Sequence, residues 1–324
     1  MSLLVIDRET VRRLLPMRDC IGLMREAMIA LSAGETQQLL RQIIPLGQGN
    51  LFGVMPGAAP ATFGAKLISI FPENTALGGQ SHQGFVALFD PASGAPLAIL
   101  HAGEITAIRT AAASAAATDP LAQPDAHRLA ILGTGEQAHA HAVAIALVRK
   151  LAEIRIWGRS AERAAALASR LADELGIPVT AATSAKAAAS GADIICTVTG
   201  AAEPVLLSAA VADGAHVNLV GSSYAGPREI DDDLVVRGRF FADHRAGVLE
   251  QGAEFLHAKA AGRIDDTHLR AEIGEVLAGA HPGRGSANEV TLYKSLGSVV
   301  QDLWSGWHVY RAALAEGVGT VVAF

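Results

Sequence analysis

Cysteine is nearly absent: Cys20 and Cys196 are the only two in 324 residues, and they lie far apart. That excludes a disulfide framework and leaves too few thiolates for a cysteine-built zinc site. Aromatic residues make up 5 %, charged residues 18 %, and the net charge of −6 is not interrupted by any long basic tract. A nucleic-acid partner held through its phosphates is therefore not expected. No run of about 20 uninterrupted apolar residues occurs, so no membrane-spanning helix is expected. The opening Met1-Ser2-Leu3-Leu4-Val5-Ile6-Asp7-Arg8 meets an acidic residue at once, without the basic and apolar regions of a secretory leader. These absences together predict a cytoplasmic chain.

What is present is bulk. Half of the residues are hydrophobic (50 %), and the mean hydropathy of +0.30 owes much to alanine rather than to long Leu/Ile/Phe runs. The length exceeds one ordinary domain and suffices for two cores. The first part reads as mixed α and β. The pattern predicts a helix over 7–32, then apolar or alternating strands at 38–46, 51–55, 63–71, 85–89 and 97–100. The run Asp90-Pro91-Ala92-Ser93-Gly94-Ala95-Pro96 turns the last two into a hairpin. An alanine-rich helix over 103–117 is expected to stop near Asp119-Pro120.

From Arg128 onward the pattern changes. Short strands at 129–132, 153–157, 179–182, 193–198, 217–220 and 239–241 alternate with helical stretches such as 136–150 and 161–175. The alanine-rich 181–192 stretch is read as helical. Such alternation predicts a parallel, doubly wound α/β sheet with its ligand at the carboxyl ends of the strands. A last helix over 296–314 is expected to return to the first domain, which makes the nucleotide-binding unit an insertion.

Gly133-Thr134-Gly135-Glu136-Gln137-Ala138 fits the G-x-G-x-x-G/A pattern between a predicted strand and a predicted helix, the context a dinucleotide site requires. Gly133 permits the tight turn, Gly135 admits a pyrophosphate close to the backbone, and Ala138 lets helix and strand pack. The second strand ends Trp157-Gly158-Arg159-Ser160, without the Asp or Glu that grips a free ribose 2′-hydroxyl. Arg159 and Ser160 suit a 2′-phosphate, so NADP(H) is the expected cofactor and NAD(H) the alternative. The other reading of Arg159 is stacking on adenine or solvation.

Arg41, Lys66 and Arg109 stand in apolar surroundings. Burying a charge there is costly without a counter-charge. A substrate carboxylate would supply one; internal pairing or snorkelling is the equal alternative. His139 and His141, two apart on a helix, point to different faces, and no metal site is expected. Ser114 and Ser222 show no base partner in the sequence.

Several runs together resemble the ornithine cyclodeaminase/mu-crystallin family. They are Gly64-Ala65-Lys66, Phe71-Pro72-Glu73-Asn74, Ile105-Thr106-Ala107-Ile108-Arg109-Thr110, Gly133-Thr134-Gly135, Val220-Gly221-Ser222-Ser223 and Lys294-Ser295-Leu296-Gly297. The resemblance implies an α/β fold in which a Rossmann domain, 119–299, is inserted in a mixed α+β substrate-binding and dimerisation domain, 1–118 plus 300–324. It implies a homodimer acting on a small imino or amino acid. It implies a catalytic Lys66 and a substrate held by Arg41, Lys66, Arg109, Ser223 and Leu296. It also implies cofactor contacts from Ser81, Arg109, Glu136, Gln137, Thr199, Val217, Val220 and Ser295, beside the glycine turn, Arg159 and Ser160. Cyclodeaminases of the family, and related alanine dehydrogenases, carry Asp where this chain has Ser223. A serine is a poor base at neutral pH. The expected activity is therefore NAD(P)H-dependent reduction of an α-imino acid such as Δ1-pyrroline-2-carboxylate or Δ1-piperideine-2-carboxylate. Ornithine cyclodeamination, an alanine dehydrogenase-like activity and non-enzymatic binding are the alternatives. Loops 72–83 and 224–228 are expected to set specificity.

Overall fold

The computed structural model describes residues 2–77 and 81–323. In chain order its first elements are β1 (Ser2–Ile6), α1 (Arg8–Leu14), α2 (Met17–Ser32), β2 (Gln37–Gln38), β3 (Gln42–Gly47), β4 (Asn50–Ala59), β5 (Thr62–Ile70), β6 (His82–Phe89), β7 (Pro96–His101) and α3 (Ala102–Leu121). Next come β8 (Arg128–Leu132), α4 (Glu136–Val148), β9 (Glu153–Trp157), α5 (Ala161–Leu175), β10 (Val179–Ala181), α6 (Ala185–Ala189), β11 (Ile194–Thr197) and β12 (His216–Leu219). They are followed by α7 (Asp232–Arg237), β13 (Arg239–Ala242), α8 (Arg245–Gln251), α9 (Ala253–Ala260), β14 (Leu269–Glu272), α10 (Ile273–Leu277) and β15 (Thr291–Lys294). The chain closes with α11 (Val299–Glu316) and β16 (Thr320–Ala323). Two compact units result: Met1–Arg109 with Ser298–Phe324, and Thr110–Gly297.

The first unit is built on one sheet, ordered β16-β1-β7-β6-β5-β4-β2, with β3 on β4. All its pairings are antiparallel except β1 with β7. Side chains alternate across a strand with period two. On β5, Thr62, Lys66 and Ile68 are buried on one face while Phe63 is exposed on the other. The buried face lies against α11, which also packs on α2. This alternation is what turns a lysine inward.

The expected single helix over 7–32 is two helices, α1 and α2. Pro16 has no N–H to give, and its ring collides with the carbonyl four residues back. Asp7 caps α1 by accepting from the Thr10 amide at 2.8 Å. Helix α3 passes the predicted stop and ends at Leu121. Pro120 costs one backbone bond in the last turn, and the Ala122 amide still reaches the Thr118 carbonyl at 2.8 Å. Strands β1 and β16 pair with each other at the edge of the sheet and lie outside the expected set.

The second unit holds a fully parallel sheet, ordered β10-β9-β8-β11-β12-β15-β13-β14. From β8 the chain first builds outward through β9 and β10, then returns to build the other side through β11 and β12. The switch point therefore lies between β8 and β11, where doubly wound sheets bind their ligands. Strands β8, β11, β12 and β15 are buried on both faces; β8 and β11 read as largely apolar runs, whereas β12 and β15 carry the buried polar residues His216, Asn218, Thr291 and Lys294. Strands β14 and β15 are additions to the expected set. Each is four residues long, and β15 ends in the charged Lys294.

Candidate active site

The cations of the first unit converge. Lys66 is 2 % exposed and Arg109, on α3, is 3 % exposed. The Lys66 ammonium donates to Thr106 Oγ1 at 2.6 Å and to Asp302 Oδ1 at 3.2 Å. Arg109 Nε donates to the same oxygen at 2.9 Å, and its Nη1 donates to Gln301 Oε1 at 2.8 Å. One carboxylate oxygen thus holds two cations side by side. Asp302 and Gln301 lie in the first turn of α11, inside the otherwise apolar run Val299-Val300-Gln301-Asp302-Leu303. Sequence reasoning missed both, and missed Thr106 as a partner of Lys66. The available signal was the one that exposed Lys66: a charge among residues that bury.

Internal pairing and carboxylate binding are therefore not exclusive. Asp302 Oδ1 is one acceptor shared by two cations, Lys66 and Arg109. Arg41, between β2 and β3, is near enough to act on Lys66 electrostatically. Among the described residues nothing accepts from Arg109 Nη2, and the second Asp302 oxygen, buried, also has no partner. Burial pushes the Lys66 pKa down to about 7; Asp302 opposes this, and Arg109 and Arg41 add to it. Loss of water is the largest of these influences, and the arginines act in the same direction. His82, next to Ser81 (Oγ to Nδ1 2.9 Å), is pushed down to about 4, first by desolvation of its ring and then by Lys66 and Arg41. Of the expected specificity loop 72–83, residues 78–80 lie outside the described residues.

In the second unit the glycine turn joins β8 to α4. Gly133 has φ +140°, and a Cβ there would stand 2.6 Å from the Val198 carbonyl oxygen. Gly135 is the N-cap of α4; no side chain caps that helix, and nothing lies within 4 Å of an added Cβ. The backbone is thus open where a pyrophosphate would meet helix N–H groups. Ala138 is fully buried beneath the turn. Gly158 admits the Thr134 side chain, whose methyl would be 2.5 Å from a Cβ at 158. Arg159 is exposed and, among the described residues, has no hydrogen-bond or ion-pair partner. Ser160 caps α5 by accepting from the Arg163 amide at 3.2 Å, so its hydroxyl proton remains available to an anion. The Ser295 hydroxyl, buried after β15, has no partner among the described residues. These features fit a dinucleotide.

Other expected contacts offer less. Val217 is in mid-strand with its side chain in the core, whereas Val220 stands at the strand's end. Thr199 gives both its N–H and its hydroxyl to Glu229 Oε1, at 2.7 and 2.8 Å. Glu229, fully buried, also accepts from Thr197 Oγ1 and the Gly221 amide, both at 2.7 Å. Nearby, Lys294 Nζ stands 2.8 Å from Glu254 Oε2, both fully buried. Sequence reasoning missed Glu229, Glu254 and Lys294 as a cluster. Ser222 is buried and donates to the Tyr224 carbonyl at 3.3 Å; Ser223 is half-buried beside it, and Leu296 is buried after β15. Ser114 does find a histidine, His141 Nε2 at 3.0 Å, but both are fully buried and serve packing. His139 instead meets Glu174 at 2.7 Å.

The model of the family described as "Ornithine cyclodeaminase/mu-crystallin family" matches residues 2–317. A Delta(1)-pyrroline-2-carboxylate reductase of Bacillus cereus is 32 % identical over 326 residues, 99 % of this chain and 100 % of the relative. The ketimine reductase mu-crystallin of Mus musculus is 36 % identical over 280 residues, 86 % of this chain and 85 % of the relative. A solved structure of the Thermococcus litoralis Delta(1)-pyrroline-2-carboxylate reductase, in complex with NADH and L-proline, superposes with a TM-score of 0.95. It is 32 % identical, with 98 % of this chain and 99 % of that one covered.

Proposed function

The chain belongs to the ornithine cyclodeaminase/mu-crystallin family, and from that premise we propose that it reduces a small α-imino acid, of the Δ1-pyrroline-2-carboxylate or Δ1-piperideine-2-carboxylate type, to the L-amino acid. The observation that carries this reading is the buried cluster of Lys66 and Arg109 on one oxygen of Asp302, with Arg41 near. Two cations that share one carboxylate oxygen, with Arg109 Nη2 open among the described residues, attract a second carboxylate, that of the substrate. Arg109 Nη2 and Arg41 anchor it, since guanidinium groups bind carboxylates with directed, charge-assisted bonds. Bound NAD(P)H supplies the hydride that saturates the imine carbon.

Lys66 gives the proton to the imine nitrogen, directly or through a water. A pKa near 7 suits an acid that must both hold and release a proton near neutrality. The Asp302–Thr106 pair fixes the ammonium while it waits. The glycine turn, the open start of α4, Val220 and Ser295 hold the cofactor. Arg159 and the start of α5 favour a 2′-phosphate, so NADPH is the preferred form. Ser223 supports reduction over cyclodeamination, which calls for a base at that position. The relatives named above are reductases, in agreement with this choice.

The test is the initial rate of NADPH consumption with Δ1-pyrroline-2-carboxylate, with NADH alongside. The wild type turns over, and Lys66→Ala loses about a hundredfold or more, the usual worth of a positioned acid, while still binding the cofactor. Undiminished turnover in Lys66→Ala contradicts the assignment. Ammonia release from ornithine without net cofactor change supports the lyase instead.

A further inference from the structure

Glu229 is a buried carboxylate of the second unit with both oxygens fully engaged. Oε1 accepts from the Thr199 amide at 2.7 Å and the Thr199 hydroxyl at 2.8 Å; Oε2 accepts from the Gly221 amide and the Thr197 hydroxyl, each at 2.7 Å. Its own amide donates to Glu254 Oε1 at 3.3 Å. The two segments it ties are the chain just past β11 and the chain just past β12. They touch closely: a Cβ on Gly221 would stand 2.1 Å from the Thr199 carbonyl oxygen and 2.5 Å from Glu229 Oε1.

These segments occupy a defined half of the sheet. The glycine turn after β8 and the Gly158-Arg159-Ser160 end of β9 serve the adenosine side. In a sheet that binds a dinucleotide across its switch point, the strands beyond it take the other half. Those strands are β11 and β12.

The chemistry of the tie is specific. All four contacts are donors, and two of them are backbone N–H groups that cannot be reversed. Only a carboxylate offers acceptors on both sides. A glutamine in either amide orientation sets its NH2 against the fixed N–H of Thr199 or of Gly221. Burial pushes the Glu229 pKa up, opposed by Thr197, Lys294 and Thr199. A buried carboxylate is an expensive way to close a loop that packing alone could close.

We propose that Glu229 is a positioning residue: its carboxylate shapes the 197–201 and 221–224 segments into the seat for the nicotinamide end of the cofactor. The proposal rests on the reading of the second unit as a dinucleotide platform. Its test is therefore binding, which needs no substrate. Affinities of the full-length wild type and Glu229→Gln are compared for NADPH and NADH, by the fluorescence of the reduced ring. They are also compared for ADP-ribose and its 2′-phosphate, which lack that ring.

An unpaired buried donor costs enough to weaken binding by about tenfold where the nicotinamide contacts depend on it. Glu229→Gln therefore loses about tenfold in affinity for the reduced dinucleotides. Its affinity for the ADP-ribose probes stays within about twofold. Thr197→Val, which removes one donor and leaves the fixed amides satisfied, gives a smaller loss in the same direction and carries the test if Glu229→Gln does not fold. Unchanged NADPH and NADH affinity overturns the proposal. So does a parallel loss of both probe classes, which marks a merely structural tie. A wild type that binds ADP-ribose but gains nothing from the nicotinamide ring overturns it as well. A wild type that binds none of the four overturns the platform reading beneath it.

Discussion

Lys66 is held between opposed influences, and its proton is where the chemistry can be read. From α3 it faces Arg109 and Thr106, from α11 Asp302, from the β2–β3 connection Arg41, and from β6 His82. Burial, Arg109 and Arg41 lower its pKa to about 7, and Asp302 resists. A lysine acting as proton donor works only while protonated, so the reduction rate falls as pH rises through about 7. Asp302→Asn removes the negative charge that helps keep the proton on, and the descending limb moves to lower pH. A shift of about one unit is a tenfold loss on the alkaline side. A pH–rate profile of both proteins checks this; an unmoved limb contradicts the role of Asp302. Lys66 and Arg109 were legible because each interrupts an apolar run. Asp302 interrupts one too, but the helical period of the tail does not by itself say which of its residues bury. Glu229 follows Pro227 and Arg228 and reads as a solvated loop; only the fold brings Thr197, Thr199 and Gly221 onto it.

The glycine turn and the end of β9 carry the cofactor reading at the level of elements. Helix α4 begins without a side-chain cap, α5 begins at Ser160, and Arg159 stands between strand and helix without a partner among the described residues. Arg159→Ala is expected to lower kcat/KM with NADPH about tenfold, the worth of one charge-assisted bond, and to leave NADH within about twofold. Steady-state kinetics with both cofactors checks it, and an equal loss with both contradicts a 2′-phosphate contact. Alternation of short apolar strands with helices made the second sheet legible, because strands buried on both faces leave unbroken apolar runs. Strands β14 and β15 escaped that signal, being four residues each and carrying Arg270, Glu272 or Lys294. Pro16 is a visible breaker inside the 7–32 pattern, and its effect is the split between α1 and α2.

One face of the first unit's sheet remains to be accounted for at the scale of the whole molecule. Outward residues of an antiparallel sheet facing water are usually polar. Here Ile44, Leu46, Phe63 and Phe85 are exposed at 57, 52, 36 and 41 %. Phe85 pairs with Leu67 across β5 and β6, and Phe63 stacks on Phe89 with ring centroids 5.3 Å apart, so apolar side chains adjoin on this face. Contiguous apolar patches mark association sites. The homodimer implied by the family resemblance is our proposal for what covers this one. Sedimentation equilibrium is expected to give a dimer, and Phe85→Glu to shift it toward monomer with the fold retained. A wild-type monomer at micromolar concentration contradicts this. The apolar residues on both faces of β5 and β6 were visible in the sequence. Which face met a helix and which stayed open was not, because that depends on where α11 returns.

The most direct measurement is the fate of hydrogen in the reaction. The protein is incubated with Δ1-pyrroline-2-carboxylate and NADPH fully deuterated at nicotinamide C4, and the product is analysed by mass and NMR spectroscopy. Imine reduction predicts L-proline with one deuterium at C2 and stoichiometric oxidation of the cofactor, both lost in Lys66→Ala. No deuterated proline from this incubation, with L-ornithine in a parallel incubation converted to proline and ammonia without net change in the cofactor, would contradict the account.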